Sequence, residues 1–248
     1  DWLRLGNPGS KVHLYWFGDP LPSLRMALPD TVTLWQVEPE SLVSPDLATS
    51  RVRIENLVER CLVALPGNPP RAQVWFGGFS LGAWMAHEAA LQFDGRRLDT
   101  RGVILVDPPR LRMDPVRRAF RGARSTGFRA LGGILGAILH PEWDVVRRLH
   151  PKLSKEARRG ALLRYQPQTS VHPTWLFHGY RHGRQTVPQL RSLAPQLTLV
   201  PLGTQSHVAP VRDPEIRDVW IRSVVTLLDP CGRGPKHRDD PQGGIPHY

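Results

Sequence analysis

The sequence predicts an α/β protein with a mostly parallel central sheet flanked by helices. Segments of continuous apolar, β-prone residues alternate along the chain with segments of helical periodicity, which is the pattern of strands joined by helical crossovers. The strand segments are apolar at nearly every position, as expected when helices cover both faces of a parallel sheet. The 248 residues, 40% of them hydrophobic, suffice for one large core without disulfide bonds.

Glycine and proline residues separate the predicted elements in the first half of the chain. A strand at 11–17 ends at Gly18-Asp19-Pro20, and a strand at 32–37 follows. A helix at 48–65 ends at a run of Pro, Gly and Asn, because these residues interrupt regular structure. The remaining elements of this half are a strand at 73–76, a helix at 81–92 and a strand at 102–106.

The second half contains two stretches that interrupt the alternation of strands and helices. Residues 110–164 have amphipathic helical segments and no convincing strand, which predicts a helical lid inserted between two strands. Strands at 174–178 and 197–201 and helices around 187–193 and 214–228 come next. Residues 230–248 are poor in apolar side chains, which predicts a disordered tail. The α/β core is therefore expected to comprise residues 1–109 and 165–229 as one discontinuous domain.

The positive charge of the chain is concentrated in the predicted lid. The chain carries 33 Lys and Arg against 22 Asp and Glu, a net charge of +11, and residues 110–164 alone account for about +10 of it. Such a surface favours an anionic partner. Nucleic acid is disfavoured as that partner, since the few aromatic residues of the lid are scattered and do not form a stacking platform. A solvated arginine-rich surface without any partner remains an alternative.

The length of the longest apolar run and the number of cysteines disfavour a membrane-spanning protein, a metal-binding protein and a disulfide-rich protein. The longest apolar run, residues 130–139, is about half the roughly 20 residues that a membrane-spanning helix needs. Cys61 and Cys231 have no spacing typical of a metal site or a disulfide framework. The first residues lack the features of a secretory signal. We therefore expect a cytoplasmic protein with no membrane span and no metal of its own.

A candidate nucleophile lies in Gly78-Phe79-Ser80-Leu81-Gly82, between a predicted strand and a predicted helix. This G-x-S-x-G pattern in a strand-turn-helix context is typical of a nucleophile elbow. The sharp turn leaves no room for side chains at Gly78 and Gly82, and it exposes Ser80 at the carboxyl edge of the sheet. The N–H of Leu81, at the start of the helix, can stabilise an oxyanion. A tight glycine turn with an incidental serine is the alternative.

A candidate acid and a candidate base follow Ser80 in a workable chain order. Serine needs a histidine base, and the histidine needs an acid that orients it. Asp107 directly follows the strand at 102–106, and His207 lies in a loop after the last predicted strand. Both positions are at the carboxyl edge of a parallel sheet. The order Ser80, Asp107, His207 is that of the α/β-hydrolases. A turn-forming aspartate and a surface histidine are the structural alternatives.

These motifs resemble the thioesterase family of polyketide and nonribosomal peptide assembly lines, over roughly residues 11–228. The resemblance implies the α/β-hydrolase fold, a lid over the active site and an acyl-enzyme mechanism. It places the acid either after the strand at 102–106 or after the strand at 174–178. The residues at the end of the second strand, His178 to Gly183, include no carboxylate. Asp107 therefore remains as the candidate acid, and by the resemblance its position points to the terminal, chain-releasing subgroup.

The resemblance also implies a second oxyanion donor and a partner. Family members have a glycine-rich loop after their first strand, where this chain has Phe17 and Gly18. Either could supply the second oxyanion N–H, and an ordinary turn is the alternative. Family members need no cofactor of their own, because phosphopantetheine arrives on an acidic acyl or peptidyl carrier protein. The basic lid would attract such a carrier.

The predicted function is therefore release of an acyl or peptidyl chain from a carrier-protein thioester, by hydrolysis or cyclisation. Three alternatives stay open. A carboxylesterase or an acyltransferase would use the same residues on another substrate. A non-catalytic module that binds a carrier protein or nucleic acid would not use them. The sequence gives no indication of the oligomeric state.

Overall fold

The computed structural model describes residues 2–7, 9–18, 22–37, 53–65, 72–94, 99–111, 160–162 and 164–229. Most of the predicted lid and the whole predicted tail, residues 230–248, lie outside these ranges. Within them, no helix combines the length and the apolar character needed to cross a membrane.

Seven strands of the described residues form one sheet. They are β1 (Leu3–Leu5), β2 (Val12–Phe17), β3 (Val32–Val37), β4 (Gln73–Phe79), β5 (Asp99–Val106), β6 (Thr174–His178) and β7 (Leu197–Pro201). Their order across the sheet is β1-β3-β2-β4-β5-β6-β7. All neighbours pair in parallel except β1, which pairs antiparallel with β3 at one edge. The mostly parallel sheet predicted from the sequence is confirmed, and β1 is an addition to it.

The described residues contain six assigned helices: α1 (Pro22–Ala27), α2 (Ile54–Val63), α3 (Leu81–Asp94), α4 (Tyr180–Leu193), α5 (Ala209–Arg212) and α6 (Pro214–Leu228). Helix α2 begins later than the start predicted at residue 48, because the backbone of Arg53 is extended. Helix α4 begins at Tyr180, seven residues before the predicted start at 187. Helix α6 begins as predicted, with the side chain of Asp213 accepting hydrogen bonds from two N–H groups of its first turn.

Two apolar cores lie on opposite faces of the sheet, because alternate side chains of a strand point to opposite faces. Tyr15 and Phe17 of β2 pack in the core that contains α2 and α3. Leu14 and Trp16 pack in the core that contains α6, where Trp16 stacks on Trp220 at a centroid distance of 5.8 Å. Residues Val12–Phe17 are all buried, as predicted from a sequence that is apolar at every position except His13.

The strand order places a topological switch between β2 and β4. From β2 the chain continues to β3 on one side, whereas from β4 it continues to β5 on the other side. The loops at the carboxyl ends of β2 and β4 therefore diverge and leave a crevice. The register aligns these ends, since Phe17 lies opposite Val37 on β3 and opposite Gly78 on β4. Ligands of open parallel sheets bind at such a crevice.

Helix α3 binds the described residues on both sides of the predicted lid. At the entry, Trp84 donates from Nε1 to the carbonyl of Pro109 at 2.8 Å. At the exit, Tyr165 donates from its hydroxyl to Glu88 Oε2 at 3.0 Å. His87 lies in the same helix, with Nε2 3.0 Å from the carbonyl oxygen of Gln168. The helix that follows Ser80 is thus attached to the chain before and after residues 112–159.

The buried side chain of His87 predicts a loss of stability in mild acid. Its Nε2 faces the Gln168 carbonyl, and among the described residues its buried Nδ1 has no hydrogen-bond partner. Burial lowers the pKa of His87 below the ordinary value of 6.5, and the nearby His172 lowers it further. Below about pH 6.5, His87 therefore binds a proton more readily in the unfolded chain than in the folded chain. We expect the free energy of unfolding to fall as the pH falls through this range, by at most about 1.4 kcal/mol per pH unit for this group.

Urea unfolding at pH 7.5 and pH 5.5 measures this effect when the chain is compared with the variant His87→Gln. Glutamine keeps an N–H donor for the Gln168 carbonyl and does not titrate. The variant should lose less stability between the two pH values than the parent chain. His13, whose pKa burial also lowers, and Glu88, whose pKa burial raises, are present in both proteins. An equal loss in both proteins would contradict the assignment to His87.

Candidate active site

The turn between β4 and α3 holds Ser80 in a strained conformation. Its backbone φ is +57°, in the left-handed region that non-glycine residues rarely adopt. The Ser80 N–H donates to the carbonyl of Val106 on β5 at 2.9 Å, and its carbonyl accepts from the N–H of Ala83 at 3.1 Å. These two bonds fix a sharp strand-to-helix turn. Strain of this kind is typical of functional sites.

Gly78 and Gly82 are required by the close approach of backbone segments at this turn. A Cβ atom on Gly78 would lie 2.3 Å from the carbonyl carbon and oxygen of Gly82. A Cβ atom on Gly82 would lie 1.9 Å from the carbonyl oxygen of Phe17. Since these neighbours are backbone atoms, neither contact can be relieved by a side-chain rotation. The absence of side chains at these two positions therefore allows the start of α3 to lie close to the end of β4 and to the end of β2.

We expect the substitution Gly82→Ala to lower the free energy of unfolding by at least about 3 kcal/mol, because overpacking against backbone moves main-chain segments. Urea unfolding followed by circular dichroism measures the change. Gly9→Ala is the matched control, since a Cβ atom there would meet only the side-chain oxygen of Asn7 at 3.5 Å. A Gly82→Ala protein as stable as the Gly9→Ala protein would contradict the steric argument.

Asp107 lies directly after β5 and is almost fully buried, with 1% of its surface exposed. Its φ is +43°, so the chain turns sharply at this residue. Its N–H donates to the carbonyl of Phe177 on β6 at 2.7 Å. Its Oδ1 accepts from the N–H of Gly179, just beyond β6, at 3.4 Å. Contacts with β6 thus orient the carboxylate and leave Oδ2 for another donor.

His207 completes a chain of hydrogen bonds to Ser80. It lies in the loop between β7 and α5, where its Nδ1 is 2.5 Å from Asp107 Oδ2. Its Nε2 is 3.0 Å from Ser80 Oγ. The imidazole is partly open to solvent, with 31% of the side chain exposed. The three residues singled out from the sequence therefore meet at the carboxyl edge of the sheet, although 127 positions separate Ser80 from His207.

This arrangement determines the state in which His207 can act as a base. A carboxylate only accepts hydrogen bonds, so Nδ1 must carry a proton and donate a hydrogen bond to Asp107 Oδ2. Nε2 then keeps its lone pair and accepts the hydrogen bond from the Ser80 hydroxyl. A histidine in this tautomer can remove the serine proton. The geometry therefore suits nucleophilic attack by Ser80 on a carbonyl carbon.

The candidate oxyanion donors lie around Ser80 at the crevice between β2 and β4. Leu81 is the first residue of α3, so its N–H has no acceptor within the helix. Phe17 ends β2, and its carbonyl oxygen lies against Gly82. Gly18 has φ +130°, and its N–H donates to the carbonyl of Val37 at 3.0 Å. An oxyanion would have to compete with Val37 for the Gly18 N–H.

Two residues of the site were not singled out from the sequence. Gly179 supplies the N–H that binds Asp107, and a Cβ atom there would lie 2.7 Å from the carbonyl oxygen of Thr204 in the loop of His207. The phenyl ring of Phe79 faces the imidazole of His207. The sequence shows Gly179 only as a glycine directly after a predicted strand, and Phe79 only as an aromatic residue inside the elbow motif. Neither feature predicts the contact of Gly179 with Asp107 or that of Phe79 with His207.

No group of three or more His, Cys, Asp and Glu side chains in the described part of the chain is arranged to hold a metal ion. The three polar side chains at the site bind one another, and they need no ion to bring them together. The chemistry available at this edge of the sheet is that of an activated hydroxyl.

Comparisons with known proteins identify the fold. The chain matches no family model and no curated protein sequence. It does resemble solved structures. One is the NocB thioesterase domain, determined as a covalent complex with a fluorophosphonate nocardicin G analog. Its sequence is 20% identical to this chain and the TM-score is 0.61, and the match covers 92% of this chain and 100% of that one. The RedJ thioesterase from the prodiginine pathway of Streptomyces coelicolor is 18% identical with a TM-score of 0.59, over 90% of this chain and 89% of that one.

A third match is to a larger protein, the four-domain nonribosomal peptide synthetase AB3403. The identity is 16% and the TM-score 0.67, over 92% of this chain but only 20% of that one. At these identities the comparisons show the fold. It is the α/β-hydrolase fold, in the form shared with thioesterase domains, and the prediction of this fold from the sequence is confirmed.

Proposed function

We propose that the chain is a thioesterase that releases an acyl or peptidyl chain from the phosphopantetheine thioester of a carrier protein. The observation that carries this proposal is the chain of hydrogen bonds from Asp107 through His207 to Ser80, with distances of 2.5 and 3.0 Å. Its position on a fold shared with thioesterase domains supports the choice of a thioester as the substrate.

In the acylation step, His207 removes the proton of Ser80 through Nε2 while Ser80 Oγ attacks the thioester carbonyl. Asp107 holds the proton on Nδ1 and stabilises the imidazolium that forms. The N–H of Leu81, with that of Phe17 or Gly18, stabilises the oxyanion of the tetrahedral intermediate. The intermediate collapses when the carbon–sulfur bond breaks, and the phosphopantetheine thiol leaves with the proton from His207. The acyl chain is now an ester of Ser80.

In the release step, His207 acts as a base again. It removes a proton from water, or from a hydroxyl or amine of the bound chain itself, and that nucleophile attacks the Ser80 ester. Attack by water yields a free acid, whereas attack by a group of the same chain yields a ring. Both outcomes use the same residues. The protein needs no cofactor of its own, because the phosphopantetheine belongs to the substrate.

The charge of the chain supports an acidic carrier protein as the partner. Residues 110–164 have a net charge of about +10, and they begin three residues after Asp107 in the chain. Arg110 is exposed at the start of this segment. Opposite charge on a carrier would increase the rate of encounter and orient the docked carrier. The match to part of a nonribosomal peptide synthetase is consistent with such a partner.

The proposal is tested by intact-mass spectrometry of carrier proteins loaded with a panel of acyl chains, after incubation with the protein. p-Nitrophenyl butyrate serves in parallel as a simple ester. We expect loss of the acyl group from at least one carrier and little cleavage of the ester. Ser80→Ala, as the inactive control, should leave all carriers loaded.

The other outcomes identify the competing functions. Rapid cleavage of the ester with every carrier intact would indicate a carboxylesterase that uses the same three residues. Transfer of the acyl group to an added alcohol would indicate an acyltransferase. Binding of carriers without any acyl loss or ester cleavage would indicate a non-catalytic module and would overturn the proposal.

A further inference from the structure

Phe79 precedes Ser80 in the elbow, and its ring lies against the imidazole of His207. The ring centroids are 5.1 Å apart and the ring planes are inclined by 21°, which is a stacked arrangement. Phe79 is half-buried and also packs against the apolar core that contains α6. The ring that faces His207 is therefore supported by the interior of the protein.

The hydrogen bonds from His207 to Asp107 and Ser80 oppose one rotation of its ring only weakly. The bonds to Asp107 and Ser80 hold the two ring nitrogens, so they fix a line through the imidazole. They oppose a tilt of the ring about that line only weakly, because the tilt moves neither nitrogen. A contact on the face of the ring does oppose it. The ring of Phe79 makes such a contact.

We propose that Phe79 is a positioning residue that keeps the His207 imidazole in the plane required for proton transfer from Ser80; this inference rests on the proposed function. The stack has a second consequence during the reaction. When His207 takes the proton, it becomes a cation about 5 Å from the ring centre of Phe79, and an aromatic face attracts a cation at that range. The same contact thus orients the base and stabilises its charged form.

The test uses a fluorophosphonate probe, which does not depend on knowledge of the natural substrate. Ser80 Oγ attacks the phosphorus, a P–O bond forms, fluoride leaves, and His207 takes the serine proton. Intact-mass spectrometry follows the rate of labelling. We expect Phe79→Leu to be labelled about tenfold more slowly than the parent chain, as the loss of an aromatic stack implies. Phe79→Tyr keeps the ring and should be labelled within about twofold of the parent rate.

The matched control is Phe93→Leu, the same change in the other core. Phe93 is buried near the end of α3 and contacts the ring of Phe76 at a centroid distance of 5.1 Å. The substitution Phe93→Leu should lower the free energy of unfolding at least as much as Phe79→Leu does, and it should leave the labelling rate unchanged. If Phe79→Leu melts below the assay temperature, Phe79→Met replaces it, since methionine fills the space without a ring.

A second measurement observes the imidazole directly. The Nδ1 proton of a histidine bound to a carboxylate gives a far-downfield ¹H resonance, which disappears in the variant Asp107→Asn and is thereby assigned. We expect Phe79→Leu to broaden or abolish this resonance through exchange with solvent, and Phe79→Tyr to retain it.

The outcomes separate the two proposals. Absence of labelling in the parent chain would overturn the proposed function, while the resonance would still show whether Phe79 holds the imidazole. Labelling of the parent and of Phe79→Leu at equal rates, with the resonance unchanged, would overturn the positioning role and leave the proposed function intact.

Discussion

Ser80→Ala is expected to abolish covalent labelling by a fluorophosphonate and to slow acyl release from a carrier by a factor of about 10⁴ or more. Removal of the nucleophile leaves only the catalysis supplied by substrate binding and the oxyanion donors. The fold should persist, because alanine is no larger than serine and the hydrogen bonds of the turn are made by backbone atoms. Intact-mass spectrometry and a thermal melt measure the two effects separately.

Ser223→Ala is the matched control for this substitution. Ser223 is half-buried on α6, and among the described residues its hydroxyl donates to the carbonyl of Val219 one turn earlier. Its loss should change neither labelling nor acyl release. Labelling of Ser80→Ala at the parent rate would mean that another residue is the nucleophile, and the assignment of the site would be wrong.

Asp107→Asn is expected to reduce the labelling and acyl-release rates by a factor on the order of 10⁴. Asparagine fits the same space and tolerates a positive φ, so the turn after β5 should form as before. Its amide nitrogen, however, donates to His207 Nδ1 and forces the imidazole proton onto Nε2. The lone pair that should accept the proton of Ser80 is then lost.

Asp213→Asn is the control with the same chemical change. Asp213 accepts hydrogen bonds from Glu215 and Ile216 at the start of α6, and asparagine serves that position about equally well. Its rate and stability should match those of the parent chain. A mild effect of Asp107→Asn, less than about tenfold, would show that a different acid orients His207.

The strands and the elbow could be predicted because their determinants are local in the sequence. The residues 12–17 are apolar at every position except His13, which predicts a strand covered on both faces, and all six are buried in the structure. The elbow combines a strand, two glycines and a helix within a few residues. An apolar run predicts the strand, the glycine spacing predicts the turn, and a helical pattern predicts the helix. Asp107 could be placed at the carboxyl edge of the sheet because the ends of parallel strands lie at one edge.

The features that could not be predicted depend on tertiary contacts or are too short to show a period. β1 has three residues and becomes a strand by pairing with β3. Helix α5 has four residues, fewer than two turns. The start of α4 was placed too late, since Pro188, inside the helix, is usually found near a helix start. The stack of Phe79 on His207 joins residues 128 positions apart, and only the fold brings them together.

The attachment to α3 of the residues on both sides of the predicted lid has a consequence for how the chain can diversify. Because Pro109 and Tyr165 are both anchored on one helix, the span that the intervening residues must bridge is set by the core and not by those residues. The entropic cost of closing a loop between fixed ends rises only slowly with its length, by about 0.6 kcal/mol for each doubling. A change in the number of residues between Pro109 and Tyr165 should therefore cost the core little free energy. The contacts that position Ser80 can stay the same while that part of the sequence changes.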